Sequence, residues 1–195
     1  MYYWARPDLI TIYMGVVSVG ALLSMVVLMP IFLKLFKTGQ RTILVSQTIT
    51  VVLYIILFFF GKTNFVLLCV ITFIATCTGS MENALVNVLV NDTIDFIMLK
   101  EAKSANGVIS AIKGFSQKCG NTISNSGILA ALSISGYVAG AVGQQPESTL
   151  FALNFLRFGA PALAGIILIL CVVKNPMNKY VDQIAAMKEK MGHNE

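Results

Sequence analysis

The stretch ILVSQTITVVLYIILFFF, residues 43–60, decides the fold class, because its 18 residues include no charged side chain. About 20 apolar helical residues cross the roughly 30 Å hydrocarbon core of a bilayer. Comparable runs at residues 9–36, 65–90, 107–142 and 150–173 bring the total to five. Short polar breaks such as KTGQR, GKTN and GQQPEST separate them. Composition agrees: 56% of the 195 residues are apolar and 12% are charged, with a mean hydropathy of +0.79, far from a soluble domain. Helices are expected because an open strand cannot satisfy its backbone in lipid, and the alternating pattern of a barrel is missing. The expectation is an all-α membrane protein with five transmembrane helices within residues 9–173. The first run is too long for a cleavable leader and has no basic start or small-residue cleavage site.

Lysine and arginine set the orientation. With a cytoplasmic C-terminus, Lys34, Lys37, Arg41, Lys100, Lys103, Lys174, Lys179, Lys188 and Lys190 fall inside, and only Arg6 and Lys62 fall outside. Lys113, Lys118 and Arg157 lie within spans. The positive-inside bias therefore predicts a multi-pass protein of the cell (inner or plasma) membrane with a cytoplasmic amphipathic tail at 174–195. The net charge of +5 then reports topology and contact with the inner leaflet, and no nucleic-acid partner is expected. Residues 1–8 start outside. Tyr2, Tyr3 and Trp4 read as the interfacial belt of a preceding helix, with Pro7 and Asp8 as turn and cap. On that reading the chain is part of a longer protein, and a simple interfacial anchor is the alternative.

Catalysis finds little to work with. Cys69, Cys77, Cys119 and Cys171 lie in apolar spans at spacings that match neither a C-x-x-C site nor a disulfide framework, so they read as packing residues. His193, the single histidine, lies in the tail. Neither a Walker loop, a dinucleotide fingerprint nor a Ser-His-Asp arrangement occurs, so an enzyme is not expected, and no cofactor or metal site is assigned.

The informative residues are polar ones at membrane depth. In the third span Ser80, Asn83, Asn87 and Asn91 recur at i, i+3, i+7 and i+11, along one helix face. Glu82 lies beside this stripe, about 15 Å along the axis from Asp92, and such an acid needs a partner. In the fourth span Ser110, Gly114, Gln117, Lys118, Asn121 and Asn125 share a face, with Gly114 and Gly127 leaving room for close approach. A charge in the membrane interior costs about 2.5–3.5 kcal/mol on insertion scales and usually lines a cavity or pairs internally. For the asparagines, cavity lining and interhelical hydrogen bonding are both open. Lys118 points to a cavity, because helix–helix adhesion needs no charge. A Glu82–Lys118 ion pair is also open. Lys113, five residues from Lys118, is expected to point well away and snorkel toward the interface. Arg157 has two readings, snorkelling or a gating contact.

After the third span comes NDTIDFIMLKEAKSANG, residues 91–107. Asp92 and Asp95 are expected at a helix C-terminal end, where the macrodipole disfavours acids, so a cationic partner such as Lys100 or Lys103 is expected nearby. A cytoplasmic gate of Asp92, Asp95 and Lys100 and a solvated charged loop are the two readings.

The run NDTIDF, followed by Lys100, Gly107 and FSQKCGN, resembles helices ten and eleven of the glycoside-pentoside-hexuronide cation symporters. These form the melibiose-permease branch of the major facilitator superfamily. Their pattern reads approximately A-D-x-x-D-Y-G-E-x-K, with a lysine 23 positions after the second aspartate, and Lys118 stands 23 positions after Asp95. LMPIFLKLFKTGQR is similar to the family's Pro-containing helix eight and basic loop, and KNPMNKYVDQIAAMKEK to its tail helix. The resemblance covers essentially the whole chain.

What it implies is a C-terminal half, helices eight to twelve of a twelve-helix sugar (glycoside or oligosaccharide):cation symporter working by alternating access. The implied partners are the lipid bilayer, a sugar substrate, a coupling cation (sodium or proton), and an N-terminal half-domain or second chain. Residues 1–8 would be the end of helix seven and its loop. Lys118 would lie near the sugar and cation region, with Gln117, Asn121, Asn125, Asn83, Asn87 and Glu82 lining the cavity and Asp92, Asp95 and Lys100 closing the cytoplasmic side. The sequence departs from the pattern in three places. Ile97-Met98 replaces Gly-Glu, Ser104 replaces an arginine, and Asn83 stands in the register of a sugar-stacking tryptophan. Part of the charge network and galactoside-like stacking are thereby lost. A non-transporting membrane scaffold is the alternative function.

Overall fold

The computed structural model describes residues 8–36, 38–101, 106–141, 143–175, 179, 180 and 183, with backbone alone for 98–101. The described residues form helices joined by turns, with no strand among them. The expectations for Tyr2, Tyr3, Trp4, Lys37, Lys103, Ser104, His193, most of the 174–195 tail and the side chain of Lys100 lie outside the described residues.

Helix α1 spans Leu9–Phe36, the same bounds that its apolar run sets. It is not uniform: Ser24–Leu28 form a π-helical turn, in which Met29 N–H bonds to Ser24 O five residues back. Pro30 follows at once. Proline cannot donate its helical hydrogen bond and its ring crowds the carbonyl four residues earlier, and the wider turn absorbs that defect. The last long helix repeats the device. Within Glu147–Val173, here α6, Phe155–Gly159 form a second π turn, Ala160 N–H bonds to Phe155 O, and Pro161 comes next.

Helix α2, Gly39–Phe60, starts before the apolar run because Thr38 Oγ1 accepts from Arg41 N and caps it. Helix α3, Phe65–Gly79, is capped by Asn64 Oδ1, which accepts from Val66 N at 2.9 Å. A break at Ser80 and Met81 then divides the third span, and helix α4 continues as Glu82–Glu101. Because α4 runs on to Glu101, Asp92 and Asp95 lie inside a helix and not at its C-terminal end, contrary to expectation. Helix α5 is Asn106–Ile134, ending before the expected residue 142. The reason is local: Gly136 takes a φ of 77°. Tyr137 N donates to Leu132 O at 3.1 Å and Gly136 N to Ser133 O at 3.2 Å, a Schellman stop that glycine accepts without a Cβ penalty.

Four described helical segments are long and apolar enough to cross a membrane: Leu9–Phe36, Gly39–Phe60, Phe65–Ile97 and Glu147–Val173. Helix α5, at 29 residues, has the length for a fifth crossing, but its polar face keeps it less apolar than the others.

Helix α2 is the centre of the bundle, packed against α3, α4 and α6. Two long-range bonds clamp it antiparallel to α6: Gln40 Nε2 donates to Val172 O at 3.2 Å and Asn154 Nδ2 to Phe58 O at 2.9 Å. Between these clamps Gly165 lets the backbones approach, since a Cβ there would come within 2.5 Å of Val51 Cγ2. At the α2–α3 crossing the Thr50 and Thr78 hydroxyls meet at 2.7 Å. Small and hydroxylated residues at such crossings suit a membrane, where dispersion and hydrogen bonds hold helices together. The apolar core has two parts. One gathers Ile43, Met81, Leu85 and Val172, and the other Leu57, Leu68 and Phe158.

Candidate functional site

Between the two apolar clusters α2 carries polar side chains. Along α2 the order is Ile43, then Gln47, Thr50 and Tyr54, then Leu57, and along α6 it is Phe158, then Pro161, Ala164 and Gly165, then Val172. The middle members of both series line one cavity of about 320 Å³, completed by Val17 of α1, Thr76 and Gly79 of α3, Ser80 at the break, Glu82 of α4 and Arg157 of α6. That volume lies at the small end of the range for ligand pockets, about 300–1,000 Å³.

The break in the third span positions Glu82. It occupies the first turn of α4, where exposed N–H groups and the macrodipole favour a carboxylate. Its half-buried side chain lines the cavity together with the buried Gln47 amide. On the facing helix the π turn carries Arg157. The guanidinium donates from Nε at 3.2 Å and Nη2 at 2.9 Å to Tyr13 Oη, and its carbon lies 5.6 Å from the Tyr13 ring centroid and 5.9 Å from that of Phe158. Contacts of this kind favour a cation over a ring face. Tyr54 stands in the field of both charges, with its ring 6.3 Å from that of Phe158. Each charge thus has its own neutral partner, and the cavity presents an acceptor and a donor of opposite sign without an ion pair between them.

The sequence-expected residues lie elsewhere, Glu82 excepted. Gln117, Lys118, Asn121 and Asn125 all sit on α5 and are exposed, and no residue of α5 is buried. Thr122 Oγ1 donates to Lys118 O at 3.0 Å within the helix. Asn83, Asn87 and Asn91 are exposed on α4. The link between the two polar faces is Lys113 Nζ, which donates to Asn87 Oδ1, so Lys113 turns to α4 and does not simply snorkel. Lys118, about 140° further around α5, consequently turns away from α4. The Glu82–Lys118 pair that the sequence left open is not formed among the described residues. Close approach at Gly114 and Gly127 is likewise not seen, since a Cβ at either would have nothing within 4 Å. Asp92 and Asp95 are half-buried on α4. Phe96, next to Asp95, meets Tyr180 of the tail with ring centroids 4.7 Å apart. Among the described residues no group of three His, Cys, Asp or Glu side chains could hold a metal ion.

Sequence reasoning passed over Gln47, Thr50, Tyr54 and Tyr13. The signal was present for the first three, which recur at i, i+3 and i+7 in the very run that decides the fold class. It was masked because that run reads as uniformly apolar by composition. Arg157, left between two readings, lines the cavity.

Four helical segments of membrane-spanning length and apolarity among the described residues define a multi-pass membrane protein. A family model described as MFS/sugar transport protein matches residues 1–179, and the chain belongs to that family. It is a membrane transporter of MFS type. No curated protein and no solved structure is significantly similar to it.

Proposed function

We propose that this chain is one half-domain of a secondary active transporter, a carrier and not an enzyme. It moves a sugar or glycoside together with a cation by alternating access. The observation that carries the reading is the state of α5, whose Gln117, Lys118, Asn121 and Asn125 are exposed on the outside of the bundle. A lysine facing hydrocarbon costs about 2.5–3.5 kcal/mol, so this face belongs against water. Together with the Asn83 and Asn87 face of α4 it makes one wall of a path, and α5 serves as a fifth crossing. The opposite wall comes from a second membrane half-domain, in the same polypeptide or another chain, because alternating access needs two halves rocking about a midplane site. The resemblance to the glycoside-pentoside-hexuronide symporters supports a glycoside substrate and sodium or proton coupling. The lysine distribution supports a cytoplasmic C-terminus in the cell membrane. Asp92, Asp95 and Lys100 are the gate residues on that side.

Uptake of a radiolabelled glycoside into proteoliposomes tests this reading. The chain alone is expected to give no accumulation under an inward sodium or proton gradient, and the chain joined to its complementary half is expected to accumulate label. Lys118→Ala in the joined protein should abolish accumulation. Uptake by the chain alone overturns the half-domain reading, and normal uptake by Lys118→Ala removes the lysine from the transport path.

A further inference from the structure

We infer that the open cavity bordered by α1, α2, the α3–α4 break and α6 is itself a binding site for a neutral polyol of monosaccharide size, separate from the Lys118 face of α5. The inference rests on the sugar-transport reading for its ligand class, and on the geometry for its location.

Four features select this ligand. First, Glu82 and Arg157 line the same cavity with opposite charges, so a cation meets the guanidinium and an anion meets the carboxylate. A ligand without net charge meets no such opposition. Second, neither charge is consumed by the other. Arg157 is anchored on Tyr13 Oη and on two aromatic faces, and Glu82 faces the Gln47 amide. Both are thereby oriented before a ligand arrives, which reduces the ordering cost of binding. Third, besides Thr50, whose hydroxyl is already bonded to Ser46 O and Thr78 Oγ1, the remaining polar lining is Tyr54, Thr76 and Ser80. Their hydroxyls donate and accept, as every hydroxyl of a polyol does, and a pure acceptor such as Glu82 opposite a pure donor such as Arg157 suits vicinal hydroxyl pairs. Fourth, the volume of about 320 Å³ holds a monosaccharide but leaves little room for a disaccharide. Helix α5 contributes no residue to the lining, so the Lys118 face and this cavity can be separated by mutation.

The test is equilibrium binding to the full purified chain in detergent, measured by scintillation proximity with tritiated D-galactose, D-glucose and D-xylose. Unlabelled glycine betaine and maltose serve as competitors. Binding of at least one monosaccharide is expected, unaffected by glycine betaine and at least tenfold less sensitive to maltose than to the same unlabelled monosaccharide. Glu82→Gln and Arg157→Gln should each weaken it at least tenfold, and Ile123→Ala, an exposed apolar position on α5, should leave it within twofold of the parent. Since a charge substitution can disturb folding, Ala164→Phe, which fills the cavity from α6 without removing a polar group, should also block binding. Size-exclusion profiles and helical circular dichroism like those of the parent show that each variant is folded. Monosaccharide binding that survives Ala164→Phe and Glu82→Gln overturns the location. Competition by glycine betaine overturns the neutral-ligand assignment in favour of a zwitterion. Absence of any monosaccharide binding overturns the site, while glycoside uptake by the joined protein decides the transport reading separately.

Discussion

Arg157 gives two hydrogen bonds to a single oxygen, the Tyr13 hydroxyl, from Nε at 3.2 Å and from Nη2 at 2.9 Å. The contact ties α6 to α1 across 144 residues of sequence. It also fixes the guanidinium at the rim of the cavity, where Phe158 backs it from the same helix.

Removing that hydroxyl isolates its contribution. Tyr13→Phe keeps the ring under the guanidinium and deletes only the acceptor. For a partly solvated contact the loss is about 1 kcal/mol, or roughly 2–4 °C in Tm for a chain of this size. Thermal unfolding of the purified chain measures it. A double-mutant cycle with Arg157→Gln should show that the two losses are not additive.

The α2–α6 contact depends on the missing side chain at Gly165. Gly165→Leu drives atoms into Val51 and should destabilise by about 1–3 kcal/mol, the usual scale of overpacking. Val51→Ala in the same chain should recover at least half of the loss. No recovery would mean that the two helices are not held at this spacing.

The two clamps at opposite ends of α2 act independently. Gln40→Leu removes the donor to Val172 O, and Asn154→Leu removes the donor to Phe58 O. Each should cost about 0.5–1.5 kcal/mol, the usual net worth of one such hydrogen bond. Because the sites are far apart, the double variant should lose the sum to within about 0.5 kcal/mol. Chemical or thermal denaturation of the four proteins checks the additivity.

The polar face of α5 should be wet. In a background where Cys69, Cys77, Cys119 and Cys171 are replaced by serine or alanine, cysteines at Asn121 and Asn125 should react with a membrane-impermeant maleimide in proteoliposomes. Cysteines at Ile112 and Ile123, exposed on the opposite, apolar face of α5, should react at least tenfold more slowly because lipid covers them. Equal rates at all four positions would place the whole helix in water.

The bounds of the first span, Leu9–Phe36, follow directly from hydropathy, because the desolvation of an unbroken apolar run leaves a helix little choice. The Asn83, Asn87 and Asn91 part of the polar stripe is equally legible, and these residues do share an exposed face of α4, whereas Ser80, its first member, falls in the break before α4 and lines the cavity. The end of α5 was misjudged because an apolar run continues past Gly136, whereas the backbone stops where φ turns positive. The cavity between α2 and α6 escapes the sequence for a different reason. Two helices carry Asn and Lys stripes that attract notice, and the quieter Gln47, Thr50 and Tyr54 stripe lies within a run that contains no charge at all.

The sequence alone determined that the chain lives in a membrane, which segments are long and apolar enough to cross it, and which side chains share a face of their own helix. These are one-dimensional properties, set by hydropathy and by the 3.6-residue period. Tertiary structure decided which faces meet. The break at Ser80 and Met81 aims Glu82, the π turn before Pro161 carries Arg157, and Gly165 brings α6 close enough to α2 for both to border one cavity. Periodicity fixes the angle of a side chain about its own axis, but the crossing of two axes depends on contacts between residues far apart in the chain.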